Sequence, residues 1–318
     1  MQLFLLFPVK LLLGLAILVA IAYLAVCIFL LLRQNRLIFF PSSKIETTPA
    51  DFNLAFEDVW IPIEKSQRKV TLNRGTAKQG SSSHQLHSWW IPAKGAANRV
   101  VLYLHGNGYN VGANLAQALQ FHQIDLSVLL IDYRGYGQSN GGFPTEASVY
   151  QDARAAWKYL TQERKISPEQ IILFGHSLGG AIAIDLALEH SNAAGLIVQS
   201  SFISMRAMVD HLGQFWMFPI DFLLTHRFNS ITKVRSLKMP VLYTHGTADT
   251  LIPVAMSEAL HAATPEPKQL LLVDGAEHNN IPDIGGCFYL QRLKEFVDQL
   301  HLYGQNQARN GERAERQA

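Results

Sequence analysis

The pattern of apolar and polar positions divides the chain into three stretches of different character. The first is a run of 22 residues without a charge, beginning at Leu11 and ending at Leu32. As a helix rising 1.5 Å per residue it measures about 33 Å, enough for a hydrocarbon core of about 30 Å. A cleaved signal peptide is the rival reading, but its apolar core is only about 7–15 residues long and ends at small residues. Leu24-Ala25-Val26-Cys27 faintly resembles a lipoprotein cleavage box, yet the run continues through Ile28, Phe29 and Leu30. Residues 1–33 are therefore expected to be a retained transmembrane anchor. The last stretch, 305–318, is polar, charged and without periodicity, which predicts a disordered tail.

Between them, short apolar runs alternate with segments of helical spacing. Residues 56–63 and 86–91 open the series as strands. Runs rich in Val, Leu and Ile at 100–104, 127–131, 171–174, 195–199, 241–244 and 269–273 follow. Helical spacing marks 147–162, 181–188 and 256–263. The alternation predicts an α/β domain over 34–304 with a mainly parallel sheet of eight strands, covered on both faces. Two segments stand apart. Residues 64–83 are polar and carry Gly80-Ser81-Ser82-Ser83, the composition of a loose loop. Residues 201–239 are rich in large apolar side chains and predict either a helical pair on the core or a small helical lid over a site. Residues 34–41 form a connector whose aromatics suit a membrane interface.

Composition narrows the function. The chain has 27 Lys+Arg against 25 Asp+Glu, a formal charge of +2, so no basic excess points to nucleic acid. Two cysteines, Cys27 and Cys287, cannot make a disulfide framework and lack metal-ligand spacing. No Asn-x-Ser/Thr sequon occurs. Lys10 precedes the apolar run while Arg33, Arg36 and Lys44 follow it, which places the C-terminal domain in the cytoplasm by the positive-inside tendency.

Two segments match Gly-x-Ser-x-Gly, at 137–141 and 175–179. A nucleophilic serine needs a strand feeding a tight turn into a helix, so that its oxygen stands exposed above the sheet. Ser177 has a strand before it and Gly179-Gly180-Ala181 opening a helix after it; Ser139 sits among glycines and ahead of Pro144. Ser177 is the predicted nucleophile, and Ser139 a loop residue. A serine hydroxyl needs a nearby base at neutral pH. His278, in a loop after the last strand, is the best placed of twelve histidines, with His105 and His245 as rivals. His176 is too close along the chain. Asp249 is the expected acid behind the imidazole, with Asp274 and Glu277 as substitutes. The amides of Asn107 (or Gly108) and Leu178 suit a developing oxyanion. Gly106-x-Gly108 lacks the third glycine of a dinucleotide fingerprint. His84-x-x-His87 offers only two metal ligands in a polar loop. No metal or organic cofactor is expected.

His105-Gly106-Asn107-Gly108, Asp132-Tyr133-Arg134-Gly135-Tyr136-Gly137, Gly175-His176-Ser177-Leu178-Gly179-Gly180, Asp249-x-x-Ile252-Pro253 and Gly275-x-x-His278 resemble, in order and spacing, the α/β-hydrolase superfamily. The resemblance spans residues 34–302. Within it the chain is similar to single-anchor α/β-hydrolase-domain proteins, a group that includes protein depalmitoylases and serine aminopeptidase-like hydrolases. The 64–83 loop looks longer than theirs, and no cysteine-rich N-terminus precedes the domain. The resemblance implies hydrolysis of an ester or thioester, with a hydrophobic acyl group suggested by the apolar run and the 201–239 segment. A peptidase using the same residues, or a silent binding protein on the same fold, are the alternatives.

Overall fold

The computed structural model describes residues 2–63, 84–95 and 99–315. In chain order the elements are α1 (Gln2–Ile38), β1 (Phe40–Pro41), β2 (Glu57–Ile63), β3 (His84–Ile91), β4 (Val100–Leu104), β5 (Gly108–Tyr109) and α2 (Val111–Gln123). Then come β6 (Ser127–Ile131), α3 (Glu146–Lys158), β7 (Ile171–His176), α4 (Leu178–Glu189) and β8 (Gly195–Gln199). Residues 201–239, an insertion between β8 and the next strand, carry α5 (Met205–Leu212), α6 (Ile220–Leu223) and α7 (Ser230–Lys233). The chain closes with β9 (Val241–Gly246), α8 (Val254–Ala263), β10 (Lys268–Val273) and α9 (Ile281–Glu315).

Eight strands form one sheet in the order β10-β9-β8-β7-β4-β6-β3-β2. The run from β6 to β10 is parallel, and β3 pairs antiparallel with both β6 and β2. The central strands are buried on both faces, which is why they are near-continuous runs of Val, Leu and Ile. Alternation still sorts their side chains. In β4, Val100, Leu102 and Leu104 enter the core beneath α3 and α4, while Val101 and Tyr103 face α2 and α9. The expected sheet is therefore present, with each of the eight strands at its predicted place.

The helices start where short polar side chains can take up free amides. Asn110 accepts from the Gly112 amide at α2. Thr145 and Ser148 exchange hydrogen bonds at the start of α3. α3 gives way to a π-helical turn, Tyr159–Glu163, so the predicted helix to 162 is continuous but not uniform.

Four expectations need adjustment. α1 does not stop at Leu32 but runs six residues further, so 34–38 is helix rather than connector. Phe39 is buried against Phe228 and His226 instead of lying at an interface. α9 continues through Glu315, where a tail without structure is expected from 305; Gln, Ala, Arg and Glu are good helix formers there. His84 and His87 lie on strand β3, not in a loop, and the His87 ring is buried with Nε2 2.9 Å from the Asp58 carboxylate. The 64–83 loop lies outside the described residues.

α1 is the one long apolar helix among the described residues, and its residues 11–26 are exposed. The 201–239 insertion is divided. Phe202, Phe228, Val234 and Leu237 join the main core, whereas Leu212, Trp216, Met217 and Phe222 are exposed.

Candidate active site

Asn107, Ser177, Asp249 and His278 all follow the carboxyl ends of parallel strands, β4, β7, β9 and β10 respectively. In open α/β sheets the crevice beyond these ends is where ligands bind. Residues 29 to 171 positions apart in sequence meet there because neighbouring strands point the same way.

Ser177 occupies the turn between β7 and α4 with φ 55° and ψ −119°. A left-handed φ is costly for a side chain with a Cβ, and persists where surrounding structure holds it. Here the Ser177 amide donates to Gln199 O (2.8 Å), and Ser201 Oγ donates to Ser177 O (2.8 Å). The turn closes only because its flanking residues lack side chains. A Cβ on Gly175 would lie 2.2 Å from Gly179 O, and one on Gly179 would lie 2.0 Å from Leu104 O.

His278 follows the turn at Gly275, whose φ is 70°. Its Nδ1 is 2.7 Å from Asp249 Oδ2. The other carboxylate oxygen, Oδ1, accepts from the amides of Leu251 and Ile252, both at 2.9 Å. Burial works to raise the Asp249 pKa, but hydrogen bonds from His245, His278 and the Ile252 amide outweigh it and hold the carboxyl well below its usual range. Asp249 is thus a fixed anion, and His278 Nδ1 carries the proton between them.

Ser177 and His278 line one cavity of about 390 Å³, together with Asn107, Gly108, Tyr109 and Leu251. Gly106 sits against the Ser177 turn, where a Cβ would lie 3.3 Å from Ser177 Cβ. The α2 wall presents the amides Asn114, Gln117 and Gln120, so the cavity is more polar than a hydrophobic acyl group alone would ask. None of residues 201–239 contributes to these walls. A larger groove, about 750 Å³, lies between β2 and α3, but Ser177 and His278 are not part of it.

The rival residues are accounted for. His105 is fully buried, with Nδ1 donating to Gly106 O (2.7 Å) and Nε2 3.4 Å from Asp132 Oδ1. His245 stands behind the acid, Nε2 3.1 Å from Asp249 Oδ2 and Nδ1 2.7 Å from Ser257 Oγ. Asp274 is exposed and accepts from Thr247 Oγ1. Glu277 is exposed as well. Neither replaces Asp249 beside His278.

Three features go beyond the sequence reading. His245 is a second imidazole on the acid, signalled only by its position four residues before Asp249. His176 packs on His278 with ring centroids 5.1 Å apart, and burial, then the neighbouring His278, push its pKa down to about 3. The segment after α1 is built into the Asn107 loop. Phe40 N donates to Asn107 O (2.9 Å), Asn107 Nδ2 donates to Ile38 O (3.0 Å), and β1 pairs parallel with β5.

Comparison with known proteins agrees with this architecture. A family model described as serine aminopeptidase, S33, matches residues 95–232, a span that holds Asn107 and Ser177 but ends before Asp249. Human alpha/beta hydrolase domain-containing protein 17B is 31% identical over 224 residues, covering 69% of this chain and 73% of that protein. An uncharacterized protein of Mycobacterium tuberculosis, Rv2307c, is 32% identical over 288 residues, covering 90% and 95% respectively. A Pyrococcus furiosus esterase, Pf2001, superposes with a TM-score of 0.62 at 20% identity, over 83% of this chain and 98% of that one. Fold and kinship define a hydrolase-type α/β protein. The chain belongs to the α/β-hydrolase superfamily.

Proposed function

We propose that this protein is a membrane-anchored serine hydrolase that cleaves carboxylic esters or thioesters through an acyl-enzyme. The observation that carries the reading is the Asp249-bound His278 sharing one cavity with a serine held in a strained turn between strand and helix. Ser177 Oγ attacks the carbonyl carbon while His278 Nε2 takes its proton. Asp249 keeps Nδ1 protonated and stabilises the imidazolium. The amides of Asn107 and Leu178 receive the negative oxygen of the tetrahedral intermediate. His278 then returns the proton to the leaving alcohol or thiol, and the same sequence with water frees the acid and restores Ser177. No step requires a metal or an organic cofactor. α1 serves as the bilayer anchor, and the charges flanking it support a cytoplasmic domain.

A fluorophosphonate probe is expected to label the full chain, and Ser177→Ala to abolish labelling; undiminished labelling of that variant would refute the assignment. The matched family model and Asp283, an acid in the cavity wall, favour a second reading, a peptidase taking a free amine. Rates on p-nitrophenyl esters of graded chain length against aminoacyl-anilides decide between the two.

A further inference from the structure

The exposed side of the 201–239 insertion is continuous with α1. Trp216 and Phe222 are 82% and 87% exposed, and Leu212 and Met217 are exposed beside them. Large apolar side chains grouped this way on a folded domain mark a contact surface. The Tyr23 ring stacks on Phe218 (centroids 5.5 Å apart, 13° between planes), and its hydroxyl donates to Met217 O at 2.9 Å. Eleven residues further along α1, Gln34 Nε2 donates to Leu223 O (3.3 Å), and Gln34 Oε1 accepts from the Thr225 amide (2.8 Å). The insertion therefore lies along about 16 Å of α1.

We propose that residues 212–224 enter the bilayer beside α1 and form a second membrane contact. The inference rests on the reading of α1 as an anchor. A bilayer is the occupant because of where the segment lies on the helix. Tyr23 is nine residues inside Leu32, about 13 Å along the axis, so the level of Met217 and Phe218 falls within the apolar run itself. Interfacial segments reach depths of about 5–10 Å with Trp and Phe on the buried side, and the Tyr23 level lies somewhat deeper than that.

The polar chemistry of the segment is compatible with that position. Six of its backbone amides are taken up locally, among them Phe218 by Phe215 O, Ile220 by Phe218 O, and Leu224 by Ile220 O. A segment in lipid must satisfy these groups internally. The Asp221 carboxylate pairs with Arg206, as does Asp210. The second contact fixes the domain's tilt and keeps the Asn107 loop, already joined to α1, close to the lipid surface.

The test uses the full chain in phosphatidylcholine vesicles whose acyl chains are brominated near the headgroup end. Brominated lipid is expected to quench tryptophan emission, and Trp216→Phe to lose that quenched component, the remaining four tryptophans lying outside the 201–239 insertion. Equal quenching of the wild type and Trp216→Phe, with the protein still resisting alkaline carbonate, would overturn the insertion alone. Release of the wild type by carbonate would overturn the anchor and the insertion together.

Discussion

The chain contains the same five-residue pattern twice, and the two copies have opposite lives. Ser177 stands at a strand-to-helix turn with φ 55°, in the wall of a cavity that His278 shares. Ser139 is buried, and its Oγ is used up: it donates to Asp132 O (2.9 Å) and accepts from the His87 amide (2.7 Å). One hydroxyl is presented to a cavity, the other closes a loop onto β3. The pattern says only that glycines flank a serine. What precedes and follows it decides whether the serine lines a cavity or is bound to backbone.

The largest expected effect breaks this contrast directly. Ser177→Ala is expected to lower kcat/KM for a short soluble ester by roughly 10⁴-fold or more, with little change in unfolding midpoint. Ser139→Ala is expected to leave the rate near that of the wild type. Loss of activity in both would erase the distinction. Asp249→Asn comes next, at about 10⁴-fold in kcat, because the amide favours the wrong tautomer of His278. Steady-state kinetics on the folded variant checks it.

Asn107→Ala keeps the main-chain amide but removes the bond to Ile38 O. A fall in kcat on the order of tenfold with KM little changed is expected, less than the 10²–10³ of deleting an oxyanion donor outright. The loop is loosened, not emptied. Ser139→Ala then returns as a stability variant. Leaving the His87 amide without its acceptor costs about 1–3 kcal/mol, read from the urea midpoint.

The smallest effect concerns acid. In the folded chain burial, with His278 nearby, lowers the His176 pKa to about 3, against about 6.5 when unfolded. Between these values the unfolded state binds the extra proton, so the contribution is full above about 6.5 and is lost as pH falls toward 3. His176→Asn is expected to flatten the dependence of stability on pH by up to about 1.4 kcal/mol per pH unit within that window. Parallel melts at pH 7.5 and 5 measure the change. An unaltered slope would mean that the ring is hydrated in the native state.

Much of the fold was legible because buried parallel strands leave a plain mark. Val100–Leu104, Ser127–Ile131 and Gly195–Gln199 match their predicted bounds, since each is an apolar run bounded by polar or turn residues. The end of α1 was not legible. Arg33, Gln34 and Arg36 look like a stop at a membrane surface, but Gln34 caps a contact with Leu223 and Thr225 that no local pattern announces. The two-residue pairing of β1 with β5 is equally silent, being too short to carry periodicity.

The same division holds at the candidate site. Ser177, Asp249 and His278 were readable because each sits directly after an apolar strand, and strand ends in a parallel sheet converge by construction. His245 beside Asp249, His176 against His278 and Ile38 beneath Asn107 were decided only in three dimensions. Sequence by itself determined the strands, the long apolar helix and the candidate residues at the strand ends, because these depend on side-chain type and local spacing. Tertiary structure alone decided which side chains support them and what α1 touches, because those contacts join segments whose separation leaves no periodic trace.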